Sequence, residues 1–498
     1  MSLTGDYQYR TEPFNHQRTL LDDTALCPAY GLLWEQGTGK TKPIIDNVAL
    51  LYLAGEIDTL VVVAPPGVER NWITDEIPVH MPERVLAETL CFHWRAGKAT
   101  QVGYKQKMEA AIKWKGLLVL CISYNAFITQ RCKNYLWRVL KRRRCFYALD
   151  ESHNIKTPKA KRTRSIIASG RYAPYKRIMT GTPITTGPFD IYSQIRFLDE
   201  RFWAPLHIVD FASFKQFFGR WITRAEHIQL EGYDPGYDIF IEYRNLDLLK
   251  DVMAKISGRV LKEDVLDLPP KLYTKRYFDM NPDQQTAYDE LKKEYIYEHE
   301  SGMVVDAAMA LVRLLRLQQI ACGYIHDGSE EPTQLLGKSN PRLAIVEELR
   351  DSLGHQAIFW ARFRHDIDQI MDLLGPGAAR FDGAIDQDDC EWNKQAFNGG
   401  ERQWLVATQK KGGSGHTFNV AKTNVHYSNS FSLIDRLQSE DRNHRVGQEG
   451  SDHGEHGFGV LNIDIQCPGT VDEHITKALR NNFNIAQQLN GDDLREWI

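Results

Sequence analysis

The chain lacks cysteine pairing of any recognisable kind. Cys27, Cys91, Cys121, Cys132, Cys145, Cys322, Cys390 and Cys467 are scattered, with no C-x-x-C among them. That excludes a zinc ribbon and fits reduced, buried thiols better than a disulfide frame. The histidines do not fall at metal-ligand spacing from these cysteines; the DHGEH string at 452–456 reads as a loop. Long apolar runs are missing too, so no segment reaches the ~20 residues of a membrane span. The N-terminal MSLTGDYQYR has no apolar signal core, which leads us to expect a cytoplasmic protein with no membrane partner. Low-complexity tracts and short internal repeats are absent. So is an excess of one charge: 61 basic against 65 acidic side chains leave a net charge of -4. A coat of overall positive charge is thereby excluded, and any grip on a polyanion must come from local basic stripes.

What is present is enough chain, 498 residues, for two or three cores. Short apolar runs at 60–63, 117–122, 146–149 and 177–179 read as buried strands, each followed by polar or Gly/Pro-rich turns. The pattern returns at 357–360, 404–407, 425–427 and 459–465. Buried strands alternating with amphipathic stretches predict parallel α/β sheets. Between them, 281–300 and 304–322 carry apolar residues at helical spacing. The expected architecture is α/β: a lobe over 1–200, a largely helical insert over 201–335, and a second α/β lobe over 336–498.

Two segments carry recognisable chemistry. In WEQGTGKT (34–41), Gly37 and Gly39 allow a tight turn whose N–H groups, with that of Thr38, face phosphate oxygens. Lys40 then reaches the terminal phosphates and the Thr41 hydroxyl can ligate magnesium. The first glycine of G-x-x-x-x-G-K-S/T is replaced by Trp34. Asp150 and Glu151, in DESH after an apolar strand, suit the acidic half of such a site. Asp150 would hold magnesium and Glu151 would orient and deprotonate the attacking water. Alone, Asp-Glu after a strand is a common surface loop; the P-loop gives it meaning.

This pair resembles the superfamily two helicases, and further segments narrow the resemblance to the Swi/Snf-type DNA translocases. FNHQ (14–17) resembles that family's adenine-reading motif, with Gln17 the base contact. VVVAPPGVERNW, ISYNA, MTGTPI, GRVLKEDVLDLPPK, ATQKKGGSGHTFNVA, QSEDRNHRVGQ and GTVDEHI follow in the family's order over residues 10 to 490. DESH departs from the usual DEAH or DEGH at Ser152, and the loop from a Met-Gly-Leu-Gly type, without loss of a group needed for hydrolysis. The resemblance implies two RecA-like parallel-sheet lobes with a helical insertion between them, and an ATP-dependent DNA motor of minimal bacterial or phage type using ATP and Mg2+.

The resemblance also distributes roles. Arg442 and Arg445, three apart and therefore on one face of a helix, would be cationic fingers on the phosphates. Gln438 is expected near the γ-phosphate or attacking water, and Gly413 near both nucleotide and DNA. Thr180–Thr182 would report phosphate loss by bonding to DESH. DNA contacts are expected from Pro66, Gly67, Arg70, Ser123, Tyr124, Lys156, Lys159, Arg162, Lys410, Lys411 and Ser414. Trp72 reads as packed in the core, and KRRR at 141–144 as a basic turn away from the track. Phosphate contacts carry no base information, so the partner would be duplex, forked or junction DNA of any sequence. A strand-separating or branch-migrating helicase, a non-catalytic DNA-binding scaffold, and a motor subunit of a larger restriction or defence complex remain alternatives.

Overall fold

The computed structural model describes residues 7–490 except 235, 269, 301–306, 326–333, 338, 414–416 and 445–458; at 295–300, 307–311, 334–335, 387 and 488–490 it describes only the backbone. The chain divides into two compact units, Met1–Leu266 with Ile485–Asp493, and Asp267–Asn484 with Leu494–Ile498. The division falls inside the stretch that reads as an insert.

The first unit holds β1 (Ala29–Trp34), β2 (Thr59–Ala64), β3 (Thr89–His93), β4 (Leu117–Ser123), β5 (Cys145–Asp150), β6 (Tyr175–Met179), β7 (Gly219–Ile222), β8 (Ile239–Tyr243) and β9 (Ser257–Val260). Seven of them form one parallel sheet in the order β3-β4-β2-β5-β6-β1-β9, while β7 and β8 make an antiparallel pair. All six residues of β2 are buried because both faces are covered. Alternate residues supply the two cores: Val61, Val63, Tyr147 and Leu149 on one face, Leu60, Val62, Phe146 and Ala148 on the other.

The second unit repeats the plan. Its strands are β10 (Lys271–Tyr277), β11 (Tyr324–Ile325), β12 (Gln334–Leu335), β13 (Ala357–Ala361), β14 (Ala378–Phe381), β15 (Trp404–Thr408), β16 (Thr423–His426) and β17 (Val460–Gln466). Six are parallel in the order β10-β17-β16-β13-β15-β14. Phe359 and Val406 face one core, Trp360 and Leu405 the other.

The expected two α/β lobes are therefore present. The intervening stretch is helical at Pro282–Glu300 and Ala307–Ala321, as the spacing predicts. It also contributes β9 to the first sheet and β10 to the second, which the sequence reading missed. Both are partly exposed edge strands with mixed composition, so they lack the apolar run by which the central strands were recognised. Among the described residues, no helix is long and apolar enough to cross a membrane.

Candidate active site

In an open parallel sheet, ligands sit beyond the C-terminal ends of the strands. In the first unit β5, β6 and β1 are neighbours, and their C-terminal ends carry DESH, TGTP and the P-loop respectively. The flanking ends of β2 and β4 carry the PPGVERNW and SYNA segments.

The P-loop leaves β1 at Trp34, which is still a strand residue and buried against the His16 ring at 5.0 Å. Position 34 therefore needs no glycine. The turn itself uses Gly37 at φ 85° and Gly39 at φ 75°. A side chain at 39 would enter the left-handed region, and its Cβ would stand 2.5 Å from Gln17 Nε2. Helix Thr41–Leu53 starts where the loop ends, so the loop N–H groups and the helix N-terminus form one anion-facing end. Lys40 Nζ lies 3.1 Å from the Trp34 carbonyl and 3.0 Å from that of Glu35, and the Thr38 hydroxyl donates to Glu35 O at 2.8 Å.

Gln17 is buried; its amide accepts from Phe14 N–H and donates to Gly39 O, both at 2.9 Å. His16 bonds Thr38 O at 2.9 Å, so FNHQ braces the loop from behind. Burial lowers the His16 pKa despite that bond.

Asp150 closes β5 and receives the Trp72 indole N–H at 3.0 Å. Burial and the adjacent Glu151 charge push the Asp150 carboxyl up to about 6, against Trp72 and the Lys40 charge. Trp72 is buried as expected, and its indole end is spent on this carboxylate. Tyr124, expected at DNA, is fully buried and donates to Asp150 O at 2.8 Å. It supports the acidic turn and offers no surface.

Glu151 adopts φ 51°, rare for a side chain without local compensation. The Thr180 hydroxyl donates to its carboxylate at 3.2 Å, and His153 Nδ1 lies 3.3 Å from the same oxygen. With that proton committed, Thr180 Oγ1 accepts from Thr182 N–H at 3.1 Å and faces His153 Nδ1 at 3.0 Å. The structure thus joins TGT to DESH directly. Gly181 is pressed on the P-loop: a Cβ there would meet Gln36 Cγ at 2.9 Å. Ser152, the departure from DEAH, donates at 2.7 Å to Gln194, whose amide donates to Pro183 O at 2.7 Å. Gln194 carried no signal in the sequence; only the fold brings it here.

Of the remaining first-unit candidates, Pro66, Gly67, Arg70 and Lys159 are exposed, while Ser123 and Arg162 are half-buried. Lys156 donates to Thr185 Oγ1 and lies 3.8 Å from the Asp190 carboxylate. The KRRR string is not a simple basic turn. Arg143 is buried and donates to the carbonyls of Asp58 at 2.7 Å and Gly116 at 2.8 Å, among others.

In the second unit, Thr408 ends β15 and caps the short helix Gln409–Gly412. Lys410 is exposed and Lys411 half-buried. Gly413 lies against helix Leu433–Glu440: a Cβ on it would stand 3.4 Å from Gln438 Cβ. That helix ends at Glu440, so Arg442 stands outside it and not on the helical face expected for it. The buried Arg442 folds back with Nε on Gln438 O at 2.9 Å. Arg445, Ser414 and the DHGEH string lie outside the described residues. Among the described residues no cluster of three or more His, Cys, Asp or Glu could hold a metal by itself.

The SNF2-related domain matches residues 28–324, and the helicase conserved C-terminal domain matches residues 341–447. The chain belongs to the SNF2-related family of helicase-type ATPases. Its similarity to a Mus musculus relative, chromodomain-helicase-DNA-binding protein 1-like, is 23% identity across 84% of this chain and 44% of that protein. An uncharacterized ATP-dependent helicase of Mycoplasma pneumoniae is 21% identical across 92% of this chain and 41% of its own length. This SNF2-related chain thus spans less than half of either relative. Among solved structures, the Sulfolobus solfataricus SWI2/SNF2 ATPase core in complex with dsDNA aligns over 99% of this chain and 96% of that one, with 19% identity and a TM-score of 0.41.

Proposed function

We propose that this SNF2-related chain hydrolyses ATP and uses the energy to move along DNA. The observation that carries the reading is the convergence of Lys40, Asp150, Glu151 and Thr180 at three adjacent strand ends, joined by the Thr180–Glu151 hydrogen bond and the Lys40 charge acting on Asp150. ATP phosphates would lie on the N–H groups of the P-loop turn, with Lys40 turning from Trp34 O and Glu35 O onto the terminal phosphates. Glu151 would take a proton from the attacking water, held in place by Thr180 and His153. Thr41 and Asp150 would hold a magnesium ion, and the Asp150 carboxyl, forced up by burial and a neighbouring acid, would gain from the cation; when bound, the ion neutralises phosphate charge. By the family resemblance Gln438, Gly413, Arg442 and Arg445 would serve the same reaction, the arginines stabilising charge on the transferred phosphoryl group.

Pro66, Gly67, Arg70, Ser123, Lys159, Arg162, Lys410, Lys411 and Ser414 would meet the DNA backbone, with Lys156 recruited from Thr185 and Asp190. Such contacts make the motor indifferent to sequence. The test is ATP turnover with single-stranded, duplex, forked and junction DNA, for the native chain and Lys40→Ala. DNA stimulation in the native chain and its loss in Lys40→Ala are expected. Equal turnover in both chains, or none with any DNA, would sink the motor reading; the preferred DNA separates a duplex translocase from a fork or junction remodeller.

A further inference from the structure

The stretch GRVLKEDVLDLPPK (258–271) leaves the first unit at β9 and enters the second at β10. Each end is fastened, within its own unit, to a segment of the proposed ATP chemistry. At the start, Arg259 donates to Leu33 O at 2.6 Å and lies 3.6 Å from the Glu35 carboxylate. Lys262 N–H donates to the same carboxylate at 2.8 Å, and Glu35 supplies one of the carbonyls that hold Lys40. At the end, the Lys271 ammonium lies 2.9 Å from Asp441 and 3.3 Å from Glu440.

Those two acids immediately precede Arg442. The Tyr273 hydroxyl also donates to Glu440, at 3.0 Å. Glu440 is fully buried and pairs with Arg436 at 2.7 Å, and Arg436 grips Asp464 through two nitrogens at 2.5 and 2.8 Å. The backbone just before Arg442 is therefore set by an ion network whose outermost cation is Lys271, on the first residue of β10. Burial disfavours that ammonium, but Asp441, Tyr273 and Glu440 outweigh it and hold it charged. A hydrophobic side chain at 271 would leave Glu440 with fewer compensating charges in a dry setting, where such losses are felt most.

We infer that Lys271 is a positioning residue for ATP hydrolysis, fixing the Glu440–Asp441 turn and through it the guanidinium of Arg442. The inference rests on the proposed role of Arg442. Lys271 touches no reacting atom in this scheme. Its effect should therefore be on turnover and should vanish when Arg442 is absent.

The experiment compares Lys271→Met, Lys271→Arg, Arg442→Ala and the Lys271→Met/Arg442→Ala double variant of the full chain. It measures ATP turnover at saturating duplex DNA, affinity for a fluorescent ATP analogue, and the thermal midpoint. Lys271→Met is expected to lower kcat about tenfold while analogue affinity stays within about twofold, with most turnover restored by Lys271→Arg. In the Arg442→Ala background, Lys271→Met should change kcat by less than about twofold. A Lys271→Met chain with native kcat beside an impaired Arg442→Ala chain overturns the inference and spares the function. So does an additive loss in the double variant, or a fall in kcat that follows the thermal midpoint and is not rescued by arginine. Native turnover in Arg442→Ala overturns the role of Arg442 itself. Should Lys271→Met not fold, Asp441→Asn takes its place with the same expected pattern.

Discussion

At the scale of single residues, several side chains have duties that composition does not hint at. Trp72 was recognisable as a core residue, but its indole N–H also holds the Asp150 carboxylate at 3.0 Å. Phenylalanine at 72 keeps an aromatic ring in the core but deletes that donor and some of the buried indole volume. We expect Trp72→Phe to slow ATP turnover severalfold while costing about 2–4 kcal/mol in urea unfolding, for a buried acceptor left unsatisfied together with a small cavity. Unchanged turnover would show that Asp150 needs no such support. Asp366 is a second case. It is fully buried, takes a hydrogen bond from Ser428 at 2.7 Å, and burial pushes its carboxyl up to about 7. A raised folded-state pKa means the native protein binds the proton more tightly than the unfolded chain. Stability from this group is full below about pH 4 and drains away as pH rises to 7. Asp366→Asn cannot ionise, so its stability relative to the native chain should improve by roughly 2–3 kcal/mol between pH 5 and 8. Urea unfolding of the second unit at both pH values checks this, and a pH-independent difference would contradict it.

Secondary-structure elements act here mainly by presenting their ends. The P-loop has its tight turn because β1 stops at Trp34 and a helix starts at Thr41, leaving Gly37 and Gly39 to turn through positive φ. Gly39→Ala would strain the turn by about 1–3 kcal/mol and press on Gln17. Weaker binding of an ATP analogue by roughly tenfold or more is the expected result, with the thermal midpoint measured alongside. Retained affinity would mean the turn relaxes without cost. On the neighbouring strand, Thr180 connects the ends of β5 and β6 through Glu151 and His153. Thr180→Val keeps the shape but loses the hydroxyl, and kcat should fall about tenfold or more with analogue affinity retained; Thr180→Ser should recover most of it. If valine is tolerated, the hydrogen bond between the two strand ends is incidental.

For the whole molecule, the near-neutral charge means that the grip of the proposed DNA motor would come from a few local cations. Arg70, Lys159 and Lys410 are exposed, and Arg162 and Lys411 half-buried, in the segments that follow strands of the two sheets. Each phosphate neutralised contributes about -0.9 to the slope of log K against log salt. Duplex affinity measured from low to high salt should therefore fall with a slope of about -3 to -5, and equally for unrelated sequences. A flat salt response, or a strong sequence preference, would remove the backbone-grip reading.

Residues within one turn or strand were the legible part of this protein. Apolar runs located the central strands, because a strand covered on both faces must be apolar throughout. Phosphate binding by backbone N–H groups demands glycine near lysine and threonine, so the P-loop could be read even with Trp34 in place of its first glycine. DESH and TGT could be read as partners only through the resemblance to the Swi/Snf-type motors, which pairs those two motifs. The tertiary structure decided what depends on strand order and on long-range hydrogen bonds. It put β5, β6 and β1 side by side, buried Tyr124 behind Asp150, ended the Leu433–Glu440 helix before Arg442, and moved β9 and β10 from a supposed helical insert into the two sheets. It also brought Gln194 to Ser152 across 42 positions and Lys271 to Asp441 across 170. A polar side chain in a sequence does not say which distant group will share its burial; that is settled only when the sheets form and every buried charge must find a partner.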